Sequence, residues 1–323
     1  MRSLKDETIN PSASREYLKG RFFWERRTKD DFKIAIEHFQ TAIAIDPDFA
    51  LAYSGLADCY IQLPQWGSNP ADTIPHAKVA ILKALELDPD LAEAHASLGQ
   101  ITKDFNEAEK EFKRAIELNP NYATAYQWYA ELLYAVGRFD EARTYIREAI
   151  ALDPMSRIMK NLDGRISLFE RQYDEAIEIF KRNVDLDPTW EGDYEWLFHA
   201  YSAKGMYREA VGAYITACTL EKEVTPEEAV ALDNSFNNGG WNDFLKARIE
   251  QFEERSRHGY VQPFTMAEFY ARAGEKEEAF ALLDKVVKTR DNGTTYIRYL
   301  PSLDNLRSDP RFDELLRPRG FSN

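Results

Sequence analysis

Five prolines, each preceded by Asp or Asn, divide most of this chain into segments of similar length. They are Asp46-Pro47, Asp88-Pro89, Asn119-Pro120, Asp153-Pro154 and Asp187-Pro188, at intervals of 42, 31, 34 and 34 residues. A residue before proline is pushed out of the α region, and proline suits a helix's first turn. Each pair therefore predicts the end of one helix and the opening of the next. Twelve residues before each proline stands an alanine: Ala35, Ala77, Ala108, Ala142 and Ala176. Four residues later comes Phe39, Ile81, Phe112, Ile146 or Phe180, and three further on Ala42, Ala84, Ala115, Ala149 or Asn183. Ala210, Tyr214 and Ala217 continue the frame without a proline. Spacings of i, i+4 and i+7 put the three positions on one helix face. The small residues let two helices approach and the large one fills the gap beside them. The pattern predicts helix pairs stacked in series. With only 15 Gly and 14 Pro in 323 residues, the turns of an all-β fold are not supplied.

The first helix of each pair carries a second pattern. It reads Tyr126, Tyr129, Ala130, Leu133 in one unit, Tyr53, Leu56, Ala57, Tyr60 in another and His95, Leu98, Gly99 in a third. On these residues the chain resembles the tetratricopeptide repeat family over about residues 14–290. The resemblance implies an all-α, right-handed superhelical solenoid of about eight helix pairs, with each first helix on the concave side and a C-terminal capping helix. The expected divisions are a loose lead at 1–13, repeats one to six over 14–222, a degenerate repeat seven over 223–257, repeat eight over 258–290 and a cap over 291–323. Repeat one is expected to have a lengthened loop around RFFWERRTKDD, and repeat two an insertion, LPQWGSNPADT. Repeat three is three residues short, in its first helix or its turn. In repeat seven a helix capped by Thr225 is expected to break at Asn237-Asn238-Gly239-Gly240, as a hinge or a tight turn. The end segments SREYLKGRFFWERRT and LRSDPRFDELLRPRG resemble the borders of repeat arrays that follow winged-helix, kinase or cyclase domains in bacterial signalling proteins.

No phosphate-binding Gly loop, nucleophile elbow or zincin motif occurs, and the five histidines show no ligand spacing. Neither catalysis nor a cofactor or metal is expected. Forty-one Lys and Arg against 55 Asp and Glu give a net charge of -14, which repels phosphate backbones and disfavours nucleic acid. The basic-aromatic run from Lys19 to Lys29 is read as packing of the first repeat with charges solvating an exposed end. Cys59 and Cys218 sit on apolar helix faces and are read as buried thiols in a reducing compartment. His95 is read as a packed core residue. The polar start lacks the apolar stretch of a secretory signal, and no run is long enough to span a membrane, so a cytoplasmic chain without membrane insertion is expected.

A 34-residue register also predicts what the concave side presents. Positions not used for packing within the fourth repeat are Gln127, Trp128 and Glu131. Their equivalents downstream are Asn161, Leu162 and Arg165, then Glu195, Trp196 and His199; upstream they are Ser54, Gly55 and Asp58, then Ala96, Ser97 and Gln100. The expected groove is small-lined in repeats two and three and aromatic and polar in repeats four to six. A peptide anchored on Trp128 and Trp196, with Asn161 and Arg165 reaching its backbone or an acidic side chain, is one reading. The other is that both tryptophans cover helix crossings. Trp66, in the repeat-two insertion, is either tucked on a neighbour or offered to a partner. The expected function is a non-catalytic scaffold for a protein or peptide. Alternatives are the sensory arm of a regulator, kinase or cyclase, and a self-assembling solenoid.

Overall fold

A computed structural model describes residues 10–66, 68–259, 261–289 and 297–316, and among these the regular elements are helices, with no strand. The chain divides into two compact units, Met1–Met155 and Ser156–Asn323. In the first unit, four antiparallel pairs follow one another: α1 (Pro11–Glu25) with α2 (Lys29–Ile45), α3 (Ala50–Gln62) with α4 (Pro70–Leu87), α5 (Ala92–Ile101) with α6 (Phe105–Leu118), and α7 (Ala123–Ala135) with α8 (Phe139–Leu152). In the second, α9 (Arg157–Phe169) pairs with α10 (Tyr173–Leu186) and α11 (Glu191–Lys204) with α12 (Tyr207–Leu220). The kinked α13 (Pro226–His258), α14 (Pro263–Ala273), α15 (Lys276–Thr289) and α16 (Pro310–Leu316) complete it.

The packing frame read from the sequence is the core. Ala35, Ala77, Ala108, Ala142, Ala176 and Ala210 are buried, as are Phe39, Ile81, Phe112, Ile146, Phe180 and Tyr214. Close approach is achieved on the opposing helix by glycine. A Cβ on Gly55 would lie 2.5 Å from the Phe39 ring, and one on Gly164 2.5 Å from the Phe180 ring. The proline pairs act one step away from where they were expected. Each preceding Asp or Asn is the helix C-cap in an extended conformation, for example Asp46 at φ -138°, ψ 92°. Its side-chain oxygen then accepts the backbone N–H two residues on, at 3.1 to 3.2 Å. The next helix opens three residues after the proline, so proline shapes the connecting turn and not the helix's first turn.

Three further expectations change. The RFFWE stretch is not loop but the end of α1, because Trp24 is fully buried; the turn is Arg26–Thr28. Repeat three is shortened in its first helix, α5, of 10 residues against 13 for α7. Repeat seven runs through Asn237-Asn238-Gly239 as helix and kinks at Gly240 alone, at φ 75°, ψ -154°. Thr225 caps it as expected, in a reciprocal box with Glu228. Cys59 and Cys218 are free and buried. His95 is only partly buried, its ring bonded to Glu111 and to the Pro89 carbonyl.

Candidate functional site

First helices of the first unit pack directly on one another, α1 on α3, α3 on α5 and α5 on α7. Their shared face bears a ladder of polar side chains, one rung per helix. Arg21 on α1 donates to Asp58 on α3 at 3.1 Å, and Ser97 on α5 donates to the other Asp58 oxygen at 2.6 Å. Gln100 on α5 donates to Glu131 on α7 at 3.5 Å, and Gln127 donates to the same carboxylate at 2.9 Å. Asp58 is 1% exposed, and burial pushes its carboxyl up to about 6, with Arg21 and Ser97 pulling the other way.

This face is incompletely satisfied. Among the described residues, buried polar atoms lacking a hydrogen-bond partner include Nε1 of Trp24 and Trp128, Nε of Arg27, Oγ of Ser54, the Tyr122 hydroxyl and Oε1 of Gln127. All six belong to first helices of this unit or to the turns at their ends. Buried polar atoms in folded proteins are nearly always paired, so these orphans mark unused bonding capacity along the first helices. Burial raises Tyr122 well above its ordinary pKa, helped by the Asp58 charge, so the phenol stays protonated and remains a donor.

In this unit the expected site residues sit deeper than an open groove requires. Trp128 is fully buried and Gln127 is 2% exposed, so both lie beneath the surface; Glu131 remains partly accessible. The side chain of Trp66, at the end of a short 3-10 turn (Leu63–Trp66), lies outside the described residues.

In the second unit four of the five remaining expected residues, Asn161, Arg165, Trp196 and His199, are engaged internally. Asn161 and Asn183 both donate to Asp193 at 3.0 Å, which explains why Asn183 replaces the alanine of the frame. Asn161 is therefore a core amide and not a free hand for a peptide backbone. His199, 5% exposed, accepts from Arg272 of α14 at 2.8 Å and lies 3.5 Å from Glu268. Burial, then the Arg272 charge, hold its pKa well below the usual value. Trp196 packs tilted against His199, with ring centroids 5.1 Å apart, and Arg165 lies 4.8 Å over the Trp196 ring. Glu195 is exposed at its own surface, yet desolvation by its surroundings, then the Glu221 and Glu268 charges, push its carboxyl up to about 8.

A segment of the chain itself covers part of this second face. Residues 297–306 lie against α14 and α11, with Ile297, Leu300, Leu303 and Leu306 buried. Ser302 donates to Glu268 at 2.7 Å, Asp304 accepts from Arg171 at 2.7 Å, and Tyr299 packs 6.2 Å from Phe169. The candidate is thus the first unit's face, whose partly accessible members are Arg21, Arg27, Gln100, Tyr122 and Glu131. The sequence reading included Asp58, Ser97 and Gln100 on it, but missed Arg21, Trp24, Arg27 and Tyr122.

The match to known proteins follows the repeat. A family model described as tetratricopeptide repeat matches residues 101–166. The transcriptional regulator HilA of Salmonella typhimurium is 25% identical over 224 residues, 67% of this chain and 39% of that protein. The type IV pilus assembly protein PilF of Pseudomonas aeruginosa is 34% identical over 136 residues, 40% of this chain and 53% of that protein. The chain thus spans about two fifths to one half of these two relatives. Among solved structures, a human IFIT1 dimer with PPP-AAAA has a TM-score of 0.59 at 17% identity, covering 91% of this chain and 73% of that one. Yeast Tom70 has a TM-score of 0.52 at 16% identity, covering 98% and 70%. These structural likenesses show the fold alone.

Proposed function

We propose, from the premise that the chain is a tetratricopeptide-repeat protein, that it is a non-catalytic scaffold whose first-unit ladder holds an extended segment of a protein partner. The repeat architecture is in general that of a protein-interaction scaffold. The observation that carries the finer reading is the set of orphaned buried polar atoms from Trp24 to Trp128. A peptide backbone offers an acceptor and a donor at each residue and matches such a face better than an apolar ligand does. The ligand is a protein and not a nucleic acid, because a net charge of -14 opposes a phosphate backbone. Among the described residues no helix is long and apolar enough to cross a membrane.

Panning short random peptides against the intact chain tests this. The double variant Gln100→Ala, Glu131→Ala removes two rungs without touching the buried frame. It is expected to weaken selected peptides about tenfold, roughly one lost charge-assisted bond. Selected peptides that bind the variant as tightly as the parent sink the assignment of this face.

The HilA match, over 67% of this chain, favours a second reading in which the repeats form the regulatory arm of a larger transcription regulator. An immunoblot of the endogenous product decides it. A band near 37.4 kDa removes that reading.

A further inference from the structure

We propose that Arg27, at the turn closing α1, is an anion anchor for an acidic side chain of the peptide held on the first-unit ladder; this rests on the reading of that ladder as a peptide site. Arg27 is a left-handed residue, φ 56°. The corresponding turns after α7, α11 and α14 use Gly137, Gly205 and Gly274, at φ 82°, 79° and 85°. Arg171 occupies the same kind of turn after α9, at φ 65°, and there the arginine has a visible task, its bond to Asp304. A side chain at positive φ is strained, and such strain collects where a side chain has work to do.

The task of Arg27 has no partner within the described residues. Its guanidinium lies 3.6 Å over the Trp24 ring, and that of Arg21 lies 4.1 Å over the same ring. Arg21 is paired with Asp58 and Glu25. Arg27 forms no ion pair or side-chain hydrogen bond among the described residues, and its buried Nε is orphaned. Its charge feels Glu25 most strongly, then Arg21, Glu131 and Asp58, so it shares the electrostatic surroundings of the ladder. A guanidinium over an indole keeps its N–H donors for other partners, and its fork suits a planar carboxylate. Beside it, Trp24 Nε1 is a further unpaired donor in a fully buried side chain. The occupant is an Asp or Glu side chain of the ligand, whose carboxylate matches the guanidinium fork.

Three pools of short random peptides, all N-acetylated and C-amidated, are titrated into the intact chain by fluorescence anisotropy. Their fixed central residues are glutamate, glutamine and phosphoserine. The glutamate pool is expected to bind about tenfold more tightly than the glutamine pool, as one charge-assisted pair gives. Arg27→Gly suits the left-handed turn, so helical circular dichroism is retained while the glutamate advantage disappears. Arg27→Lys keeps part of it. A glutamate advantage that survives Arg27→Gly, or equal binding of the glutamate and glutamine pools to the parent, overturns the anchor and leaves the scaffold reading intact. Tighter binding of the phosphoserine pool overturns the carboxylate assignment. Binding of none of the pools overturns the peptide site itself, and the anchor with it.

Discussion

Asp58 is the residue on which the first ladder turns, and its environment makes it a titrating group. Its carboxyl is raised from 3.8 to about 6, chiefly by burial. A folded carboxyl that keeps its proton to a higher pH than the unfolded chain favours the fold most in acid. Its contribution is full below about pH 4 and declines as the pH rises through about 6. Asp58→Asn abolishes that titration. The stability of the variant relative to the parent is therefore expected to rise between about pH 4 and 6, by at most about 3 kcal/mol. Urea unfolding of both proteins across that range checks it, and a pH-independent difference would falsify the assignment. Asp58 was readable only by resetting the frame at each proline, because it lies 42 residues before Gln100 and Gln100 lies 31 before Glu131. Arg27 was not, for a physical reason. From the left-handed turn residue to the frame alanine is five residues at Gly137–Ala142, Arg171–Ala176 and Gly205–Ala210, but eight at Arg27–Ala35. The early start of α2 moves the turn by about one helical turn, so counting 17 residues back from the proline, which reaches Gly137 and Arg171 in other repeats, here reaches Asp30 inside α2. Trp128 failed differently: helix periodicity gives a face, but only the packing of neighbouring helices decides how deep that face lies.

At the scale of helices, glycine opposite a phenylalanine sets how closely the two members of a pair approach. Gly164→Ala places a methyl 2.5 Å from the Phe180 ring, and overpacking of that kind costs about 1–3 kcal/mol. A lower melting temperature for this variant, read by circular dichroism, is expected; an unchanged one means that Phe180 swings aside freely. This device was legible in part. The Ala–bulky–Ala triad on the second helix stands out by repetition, whereas its glycine counterpart moves about: Gly20 and Gly55 both meet Phe39, while Gly99 meets Phe112. The kink in α13 was legible as a break but not as a single residue. Asn237, Asn238 and Gly239 are weak helix formers, but α13 keeps them, and only Gly240 takes the backbone to a conformation that other residues avoid.

For the molecule as a whole, the two units use equivalent faces differently. One carries the orphaned atoms from Trp24 to Trp128, and the other has residues 301–306 set against α11 and α14, with Ser302 bonded to the buried Glu268. Deleting residues 297–323 is expected to speed amide exchange in α11 and α14, because Leu300, Leu303 and Leu306 no longer shield them. Exchange at the parental rate would show that this segment contributes no protection. The sequence announced a final capping helix, and α16 is present, but the segment before it carries no periodic signal to reveal where it docks. The regular ladder also acts as a measuring scale. Neighbouring packed helices stand about 8–10 Å apart, while an extended chain advances about 3.3 Å per residue. A ligand crossing α1, α3, α5 and α7 therefore meets a new rung about every third residue, so recognition is counted in threes, with the intervening side chains left free to vary.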